Sequence, residues 1–148
     1  MLGHDRLILV KSVHHGNTLR VARDIGCVLG ADIADPDDMP HSRAMDYAMI
    51  GFGSGVYYGR MHRSLFEWIA DCPDVRGSGR HAFVFSTSGL PVLSHFWHLP
   101  VTAMLRAKGF EVLKSYSCRG FDTWGPLWLA GGLNRRHPDA QDDARARA

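Results

Sequence analysis

The stretch Arg6-Leu-Ile-Leu-Val-Lys11, followed at once by Ser12-Val-His-His-Gly-Asn-Thr18, decides the fold of this chain. Its four consecutive apolar residues, bounded by charged ones, have the length of a strand that is buried on both faces. Small and polar residues follow, and from Leu19 to Leu29 apolar residues recur at helical spacing. A strand, a polar loop and an amphipathic helix in this order predict a protein of the α/β class.

The same order recurs along the rest of the chain. Gly30 is placed to end the first helix as a left-handed cap, and residues 35–40 are rich in turn formers. The apolar patterns predict five strands, at residues 6–11, 31–34, 47–52, 81–85 and 110–117, with helices between them. Strands that alternate with helices pair in parallel through right-handed crossovers, so helices cover both faces of one open sheet. Ligands of such sheets bind beyond the carboxyl ends of the strands.

The helices of the second half depend on proline placement. A helix that closes at Gly109 is predicted after the fourth strand. Pro100 fits the first turn of that helix, whereas a start near Ser94 would place the proline in the interior and kink the helix. Residues 138–148 predict a final polar helix that is frayed after about residue 142.

Length and composition bound the class of protein. The chain has 148 residues, of which 45% are hydrophobic and 22% charged, and we expect one globular domain over residues 1–148. No apolar run approaches the roughly 20 residues of a membrane span, and residues 1–10 lack the apolar core of a secretory signal. A cytoplasmic location is therefore expected. A net charge of +2 without a long basic run argues against nucleic-acid binding.

The cysteines and histidines do not form a recognisable disulfide or metal pattern. Cys27, Cys72 and Cys118 are odd in number and far apart, which favours reduced thiols over a disulfide framework or a zinc site. His95 and His98 have helical i, i+3 spacing, but no nearby carboxylate or cysteine completes a ligand set with them. We therefore predict no metal.

The loop at residues 12–18 offers what a phosphate group needs. The start of a helix leaves backbone N–H donors unpaired and carries a partial positive charge. A glycine in the loop lets the backbone come close to a ligand, and hydroxyl groups can donate to it. The candidate phosphate ligands are Ser12, His14, His15, Gly16, Asn17 and Thr18.

Other interpretations of the glycines and hydroxyls remain. Asn17 or Thr18 could simply cap the helix. The chain lacks the GxxxxGK[ST] motif of nucleoside triphosphate sites, and the glycines at positions 51, 53 and 55 do not match GxGxxG. ATP and NAD are therefore not expected as tightly held cofactors.

Three further segments follow predicted strands and complete the candidate site. The segment GSGVYYG, residues 53–59, joins the third strand to a helix around residues 65–69 and carries two tyrosines that could stack on a flat ligand. The segment STSG, residues 86–89, could donate to a polar ring edge. Residues 117–126 contain a cysteine that could be nucleophilic or simply buried, beside an arginine and an aspartate that could form an ordinary ion pair. The candidates in these segments are Gly53, Ser54, Gly55, Val56, Tyr57, Tyr58, Thr87, Ser88, Gly89, Cys118, Arg119, Gly120, Phe121 and Asp122.

Together these motifs resemble flavodoxin-domain proteins, from Arg6 to about Asp142. The sequence HGNT at residues 15–18 is similar to the family's phosphate loop, in which hydroxyls and a GNT sequence hold the FMN phosphate without a basic side chain. Residues 51–57 resemble the loop that contacts the isoalloxazine ring, and residues 83–89 resemble the next strand and loop. The segments SCRGFDT (117–123), GGLN (131–134) and HP (137–138) are similar to a branch of short prokaryotic flavodoxin-domain proteins.

Two features depart from the family pattern. Ser12 stands four residues before Gly16, whereas the first hydroxyl of the usual loop stands three residues before the glycine, so His14 could replace a hydroxyl contact. Electron-carrier flavodoxins are also generally strongly acidic, whereas this chain has a net charge of +2. The charge argues against a standard carrier role.

The resemblance implies a three-layer, doubly wound, five-stranded parallel sheet of flavodoxin-like order 2-1-3-4-5, with FMN at the switch point between strands 1 and 3. It implies electron transfer to a protein partner, or reduction of a small acceptor such as a quinone, without a catalytic side chain. The alternatives are a cofactor-free flavodoxin-like binding or regulatory module and a flavodoxin-type protoporphyrinogen oxidase. Trp97, Trp124 and Trp128 could serve a homodimer interface or the core equally well.

Overall fold

The computed structural model of the chain describes residues 5–13, 16–57, 59–88 and 94–119. Within these residues strands and helices alternate, as the apolar patterns predict. The strands are β1 (Arg6–Lys11), β2 (Asp32–Ala34), β3 (Met49–Tyr57), β4 (Arg60–Met61), β5 (His81–Ser88) and β6 (Glu111–Arg119). The helices are α1 (Asn17–Leu29), α2 (His41–Ala44), α3 (Arg63–Asp71) and α4 (Ser94–Ala107), and a 3₁₀ turn spans Pro36–Asp38.

Five of the strands form one parallel sheet in the order β2-β1-β3-β5-β6. This confirms the predicted fold, with β5 and β6 as the fourth and fifth strands of the predicted order. The direction of winding reverses between β1 and β3, so these two strands flank the switch point of the sheet. The sequence does not predict β4, a two-residue strand that pairs antiparallel with the end of β3.

Alternate residues of β1 are buried on opposite faces of the sheet. Leu7 and Leu9 pack on the face that α3 and α4 cover, and Ile8 and Val10 pack on the face that α1 covers. All four side chains are at most 5% exposed. The continuous apolar run of this strand has a physical reason, because helices cover both faces and its four central residues, Leu7 to Val10, are all buried.

The first helix agrees with its sequence pattern. Val21, Ala22 and Ile25 are buried against the sheet, at the helical spacing that the sequence shows. Gly30 adopts φ 63° after the last helical residue, and it closes the helix as predicted. The N–H of Ala31 then bonds to the carbonyl of Gly26 at 2.9 Å. A left-handed glycine cap thus turns the chain from α1 into β2.

The third strand continues through residues 53–57. The prediction of a glycine loop at residues 53–59 is therefore wrong for the first five of these residues. A Cβ added at Gly51 would overlap the ring of Phe83, and one added at Gly53 would overlap the ring of Phe85. Both rings belong to β5, which pairs with β3 at these positions. The glycines therefore make room for aromatic rings that cross the strand, and they do not form a turn. β5 likewise continues beyond its predicted end.

Pro100 lies inside α4, because the helix begins at Ser94. Of the two helix starts that the sequence left open, the structure shows the one near Ser94. A proline in a helix removes one backbone hydrogen bond, which costs local stability. Packing of the helix on the sheet compensates for that cost, since Val101 and Leu105 are fully buried in the cluster that also contains α3.

Other predictions concern residues near the end of the chain. The predicted final helix and the tryptophans at positions 124 and 128 lie outside the described residues. Trp97 is half-buried and packs against the core on the α3 and α4 face. Cys27 is exposed and Cys72 is buried, and both are free thiols. In the part of the chain that the structure describes, no helix is long and apolar enough to cross a membrane.

Candidate functional site

The helix start after β1 lacks a side-chain cap. Gly16 adopts φ 66° directly before the first residue of α1, so the cap position is held by a glycine, which makes no side-chain cap bond. The carbonyl of Gly16 accepts from the N–H of Arg20 at 3.0 Å. The interpretation of Asn17 or Thr18 as the cap is therefore wrong. An uncapped helix start at the carboxyl end of a parallel strand is an arrangement that suits an anion.

Ser12 carries an unsatisfied hydroxyl on the same loop. Its Oγ is buried and has no hydrogen-bond partner among the described residues. Leaving a buried hydroxyl unpaired costs about 1–3 kcal/mol, so such groups are uncommon in folded proteins. The space at Gly16 is open, because an added Cβ would meet no atom within 4 Å. An unpaired buried hydroxyl and an open glycine on one loop fit a phosphate group.

Thr18 and Thr87 join the first turn of α1 to the end of β5. Their hydroxyl oxygens lie 2.7 Å apart, and the two residues are only 3% and 5% exposed. Both were predicted as separate cofactor ligands on different loops. The structure brings them together on the face of the sheet that α1 covers, where each hydroxyl is the partner of the other.

Ser54 in β3 and Ser86 in β5 are neighbours in the register of the sheet. Their hydroxyls lie on the face opposite to α1. The Oγ of Ser54 accepts from the N–H of His62 at 2.9 Å and donates to the carbonyl of Gly55 at 2.7 Å. The Oγ of Ser86 lies 2.7 Å from Nε2 of His98 in α4. Ser54 is fully buried, and its hydroxyl connects the sheet to the start of α3. Ser54 was predicted as a cofactor ligand, but its hydroxyl makes its hydrogen bonds within the protein.

Tyr57 ends β3 and contacts the loop that follows β1. The N–H of Val13 donates to its hydroxyl at 3.4 Å, and its ring meets that of His62 edge to face, with the centroids 5.6 Å apart. Burial raises the pKa of Tyr57 and lowers the pKa of His62. Both rings are therefore uncharged at neutral pH. A half-buried, neutral aromatic ring at this position suits a flat ligand.

Lys11 lies at the end of β1, but its charge is already paired. Its Nζ lies 3.0 Å from a carboxylate oxygen of Asp35 and 2.7 Å from one of Asp37. The hydrogen bonds to Asp37 and Asp35 raise the pKa of Lys11. The lysine thus connects the carboxyl ends of β1 and β2.

The remaining predicted ligands are only partly described. Gly53 and Gly55 are buried in β3, Val56 is half-buried there, and Ser88 is half-buried at the end of β5. Cys118 and Arg119 belong to β6, although they were predicted in a loop, and their side chains lie outside the described part of the chain. The predicted ligands that lie outside the described residues altogether are His14, His15, Tyr58, Gly89, Gly120, Phe121 and Asp122.

Sequence reasoning missed the role of His62 at this end of the sheet. Its Nδ1 accepts from the N–H of Ser64 at 3.1 Å and so caps α3. Its position directly before a helical stripe was the available signal. No group of three or more histidine, cysteine or acidic side chains that could hold a metal occurs among the residues described.

Comparisons with known proteins agree with this architecture. No family model matches the chain. The chain is 40% identical over 141 residues to the "Uncharacterized protein MJ0298" of Methanocaldococcus jannaschii, and the match covers 95% of this chain and 92% of that protein.

Solved structures of the same fold are more distant in sequence. Oxidised flavodoxin 2 from Bacillus cereus superposes with a TM-score of 0.70 at 17% identity, over 96% of this chain and 92% of that one. A flavodoxin from the domain Archaea superposes with a TM-score of 0.63 at 16% identity, over 96% and 91% of the two chains. At these identities the likeness shows the fold. The chain therefore has a flavodoxin-like fold, and it belongs to the same family as protein MJ0298 of Methanocaldococcus jannaschii.

Proposed function

We propose that this chain binds FMN at the carboxyl ends of β1, β3 and β5 and uses it either to transfer electrons to a protein partner or to reduce a small acceptor such as a quinone. The observation that carries the proposal is the buried Oγ of Ser12, which has no partner among the described residues, on the loop that leads to the glycine-capped start of α1. The fold shared with flavodoxins supports it as well.

The phosphate of FMN would be held by neutral donors. Ser12 offers its hydroxyl, and the first turn of α1 offers N–H groups and the partial positive charge of a helix start. Gly16 leaves open space for the phosphate oxygens. Lys11 is not required, because Asp35 and Asp37 already bind its ammonium group. These donors favour a phosphate ester over an uncharged ligand.

The ring of the cofactor would lie beside the ends of β3 and β5. Tyr57 offers a neutral aromatic surface next to the phosphate loop, and Val56 precedes it on the same strand. Ser88 ends β5 at the same edge of the sheet. These residues would shield the flavin from water and orient it, while rings from Phe83 and Phe85 keep β3 and β5 packed underneath.

FMN supplies one- and two-electron chemistry when it is bound. The residues of this chain would bind the cofactor, orient it and set its surroundings. The buried contact between Thr18 and Thr87 holds α1 against β5 and so maintains the position of the phosphate loop relative to the ring site. His62 is neutral at neutral pH, because burial lowers its pKa, and so adds no positive charge beside Tyr57.

The direct test is a titration of the purified protein with FMN, followed by quenching of flavin fluorescence, and a parallel titration with riboflavin, which lacks the phosphate. We expect FMN to bind far more tightly than riboflavin. Gly16→Leu should weaken FMN binding by more than tenfold, because a side chain would fill the open space of the loop. Failure of the wild-type protein to bind FMN would favour the cofactor-free alternative.

Gly77→Leu is the matched control for that variant. Gly77 also has a positive φ, 78°, with no atom near an added Cβ, but it lies in the turn before β5, at the opposite end of the strand from the proposed site. Both leucine variants therefore carry a similar backbone strain. Equal loss of FMN affinity in the two would point to a general effect on the fold and would remove Gly16 from the site.

The choice between carrier and enzyme needs a second measurement. Steady turnover of a quinone by the FMN-loaded protein, with a chemical or enzymatic electron donor, would identify reduction of a small acceptor. Exchange of electrons with a reductase, without turnover of small acceptors, would identify a carrier.

A further inference from the structure

A groove with polar and apolar walls lies between α4 and β6, apart from the phosphate loop. Its volume is about 150 Å³. An apolar cavity of similar size can hold a molecule as large as benzene. One face of α4 and the middle of β6 supply the walls, which include His95, His98, Thr102, Arg106, Leu113 and Ser115.

A β-bulge in β6 shapes this groove. Ala82 pairs with Val112, but Val84 pairs with Ser115, so β6 has one residue more than β5 in this interval. Residues three apart point to opposite faces of a regular strand, whereas Val112 and Ser115 both line the groove. Bulges re-aim side chains in this way and are common next to binding sites.

His98 supplies a buried nitrogen with no hydrogen-bond partner. The residue is 3% exposed, its Nε2 lies 2.7 Å from Oγ of Ser86, and its Nδ1 has no partner among the described residues. Burial, with a smaller effect from His95, lowers the pKa of His98 to about 4, so the ring is neutral at pH 7. In the tautomer whose Nε2 accepts from Ser86, Nδ1 carries the proton and can donate.

The charge and polarity of the walls select a class of ligand. Arg106 is a permanent cation, Thr102 and Ser115 carry hydroxyls, and no carboxylate is among the described residues that line the groove. Leu99 and Leu113 also line it, and they are 46% and 44% exposed. Among the described lining residues, one cation with neutral donors and two apolar side chains matches an anion of single charge that bears a short apolar chain.

We propose that the groove between α4 and β6 binds a small organic monocarboxylate, with its carboxylate on Arg106 and its apolar part against Leu99 and Leu113. A guanidinium group binds a carboxylate through two parallel hydrogen bonds. Among the described residues that line the groove, Arg106 matches the single charge of a monocarboxylate, whereas a phosphate carries more charge and a neutral compound forms no ion pair. None of these residues belongs to the proposed FMN site, so the two proposals stand or fall separately.

The test is a titration of the full chain with butyrate, observed through backbone amide signals in NMR spectra. Saturable shifts confined to α4 and β6 are expected. Butyramide, which has the same shape without the charge, should give none, and inorganic phosphate should bind more weakly than butyrate. Arg106→Gln should weaken butyrate binding by more than tenfold, and Thr102→Val should weaken it less.

Arg23→Gln is the control, since Arg23 is an exposed arginine on α1, across the sheet from the groove. This variant should bind butyrate as the wild type does. The proposal is overturned by shifts that do not saturate, by equal binding of butyramide, by tighter binding of phosphate, or by an Arg106→Gln variant with native spectra and unchanged affinity.

Discussion

The hydroxyl oxygens of Thr18 and Thr87 lie 2.7 Å apart in a buried contact, although 69 residues separate them in the chain. Thr18 stands in the first turn of α1, and Thr87 stands at the end of β5. The contact therefore connects the loop proposed to hold a phosphate with the strand end proposed to border a flavin ring. Removal of either hydroxyl takes away the hydrogen-bond partner of the other one, which stays buried.

Thr18→Val and Thr87→Val should each destabilise the protein by about 1–3 kcal/mol, since each leaves one buried hydroxyl unpaired. The double variant should lose clearly less than the sum, because both polar groups are then gone. Urea unfolding of the four proteins in a double-mutant cycle measures this coupling. Additive losses would mean that the two hydroxyls do not form a hydrogen bond.

Ser12→Ala should separate stability from cofactor binding. The variant removes a buried hydroxyl that lacks a described partner, so the cofactor-free protein should be as stable as the wild type or more stable. FMN affinity should fall roughly 5- to 30-fold, the effect of about 1–2 kcal/mol. Riboflavin affinity should not change. If both flavins lose affinity equally, Ser12 does not contact the phosphate.

Gly51→Ala should destabilise the protein by about 1–3 kcal/mol, because the new methyl group would overlap the ring of Phe83. Phe83 is only half-buried, so Phe83→Ala by itself should cost less than the loss of a fully buried ring. Adding Phe83→Ala to Gly51→Ala should restore most of the loss that the glycine variant suffers. Thermal unfolding can follow all three variants. The absence of any restoration would mean that the ring is not what excludes a side chain at position 51.

The stability of the protein should fall in acid through His98. Burial lowers its pKa from 6.5 to about 4 in the folded state, so below pH 6.5 the unfolded chain binds a proton that the folded protein does not. The free energy of unfolding should therefore decrease as the pH falls from 6.5 towards 4, by on the order of 3 kcal/mol. Urea unfolding across this range, with NMR titration of the imidazole, measures the effect.

The double variant His98→Leu/Ser86→Ala removes the histidine together with its hydroxyl partner, and it should lose most of that pH dependence. His95→Gln, at an exposed position one turn earlier on α4, should retain most of it. An imidazole of His98 that titrates near pH 6.5 in the folded protein would contradict the prediction.

The elements predicted correctly are those whose pattern is local. The apolar run of β1, the helical spacing of α1 and the left-handed glycine at position 30 are each specified by neighbours in the sequence. The placement of Gly53 in a loop failed because a ring from another strand, that of Phe85, decides the backbone there. The start of α4 could not be chosen from the sequence, because burial of the helix on the sheet outweighs the local cost of Pro100.

The alternation of strands and helices, and with it the parallel sheet, follows from the sequence alone. Apolar periodicity and the handedness of crossovers suffice for that. Only the tertiary structure decided what the hydroxyls at the carboxyl ends of the strands do. Ser12 has no partner among the described residues, Thr18 bonds to Thr87, and Ser54 bonds to the start of α3. Strand register and helix packing determine which partner each hydroxyl meets. The spacing of residues along the chain encodes neither the register nor the packing.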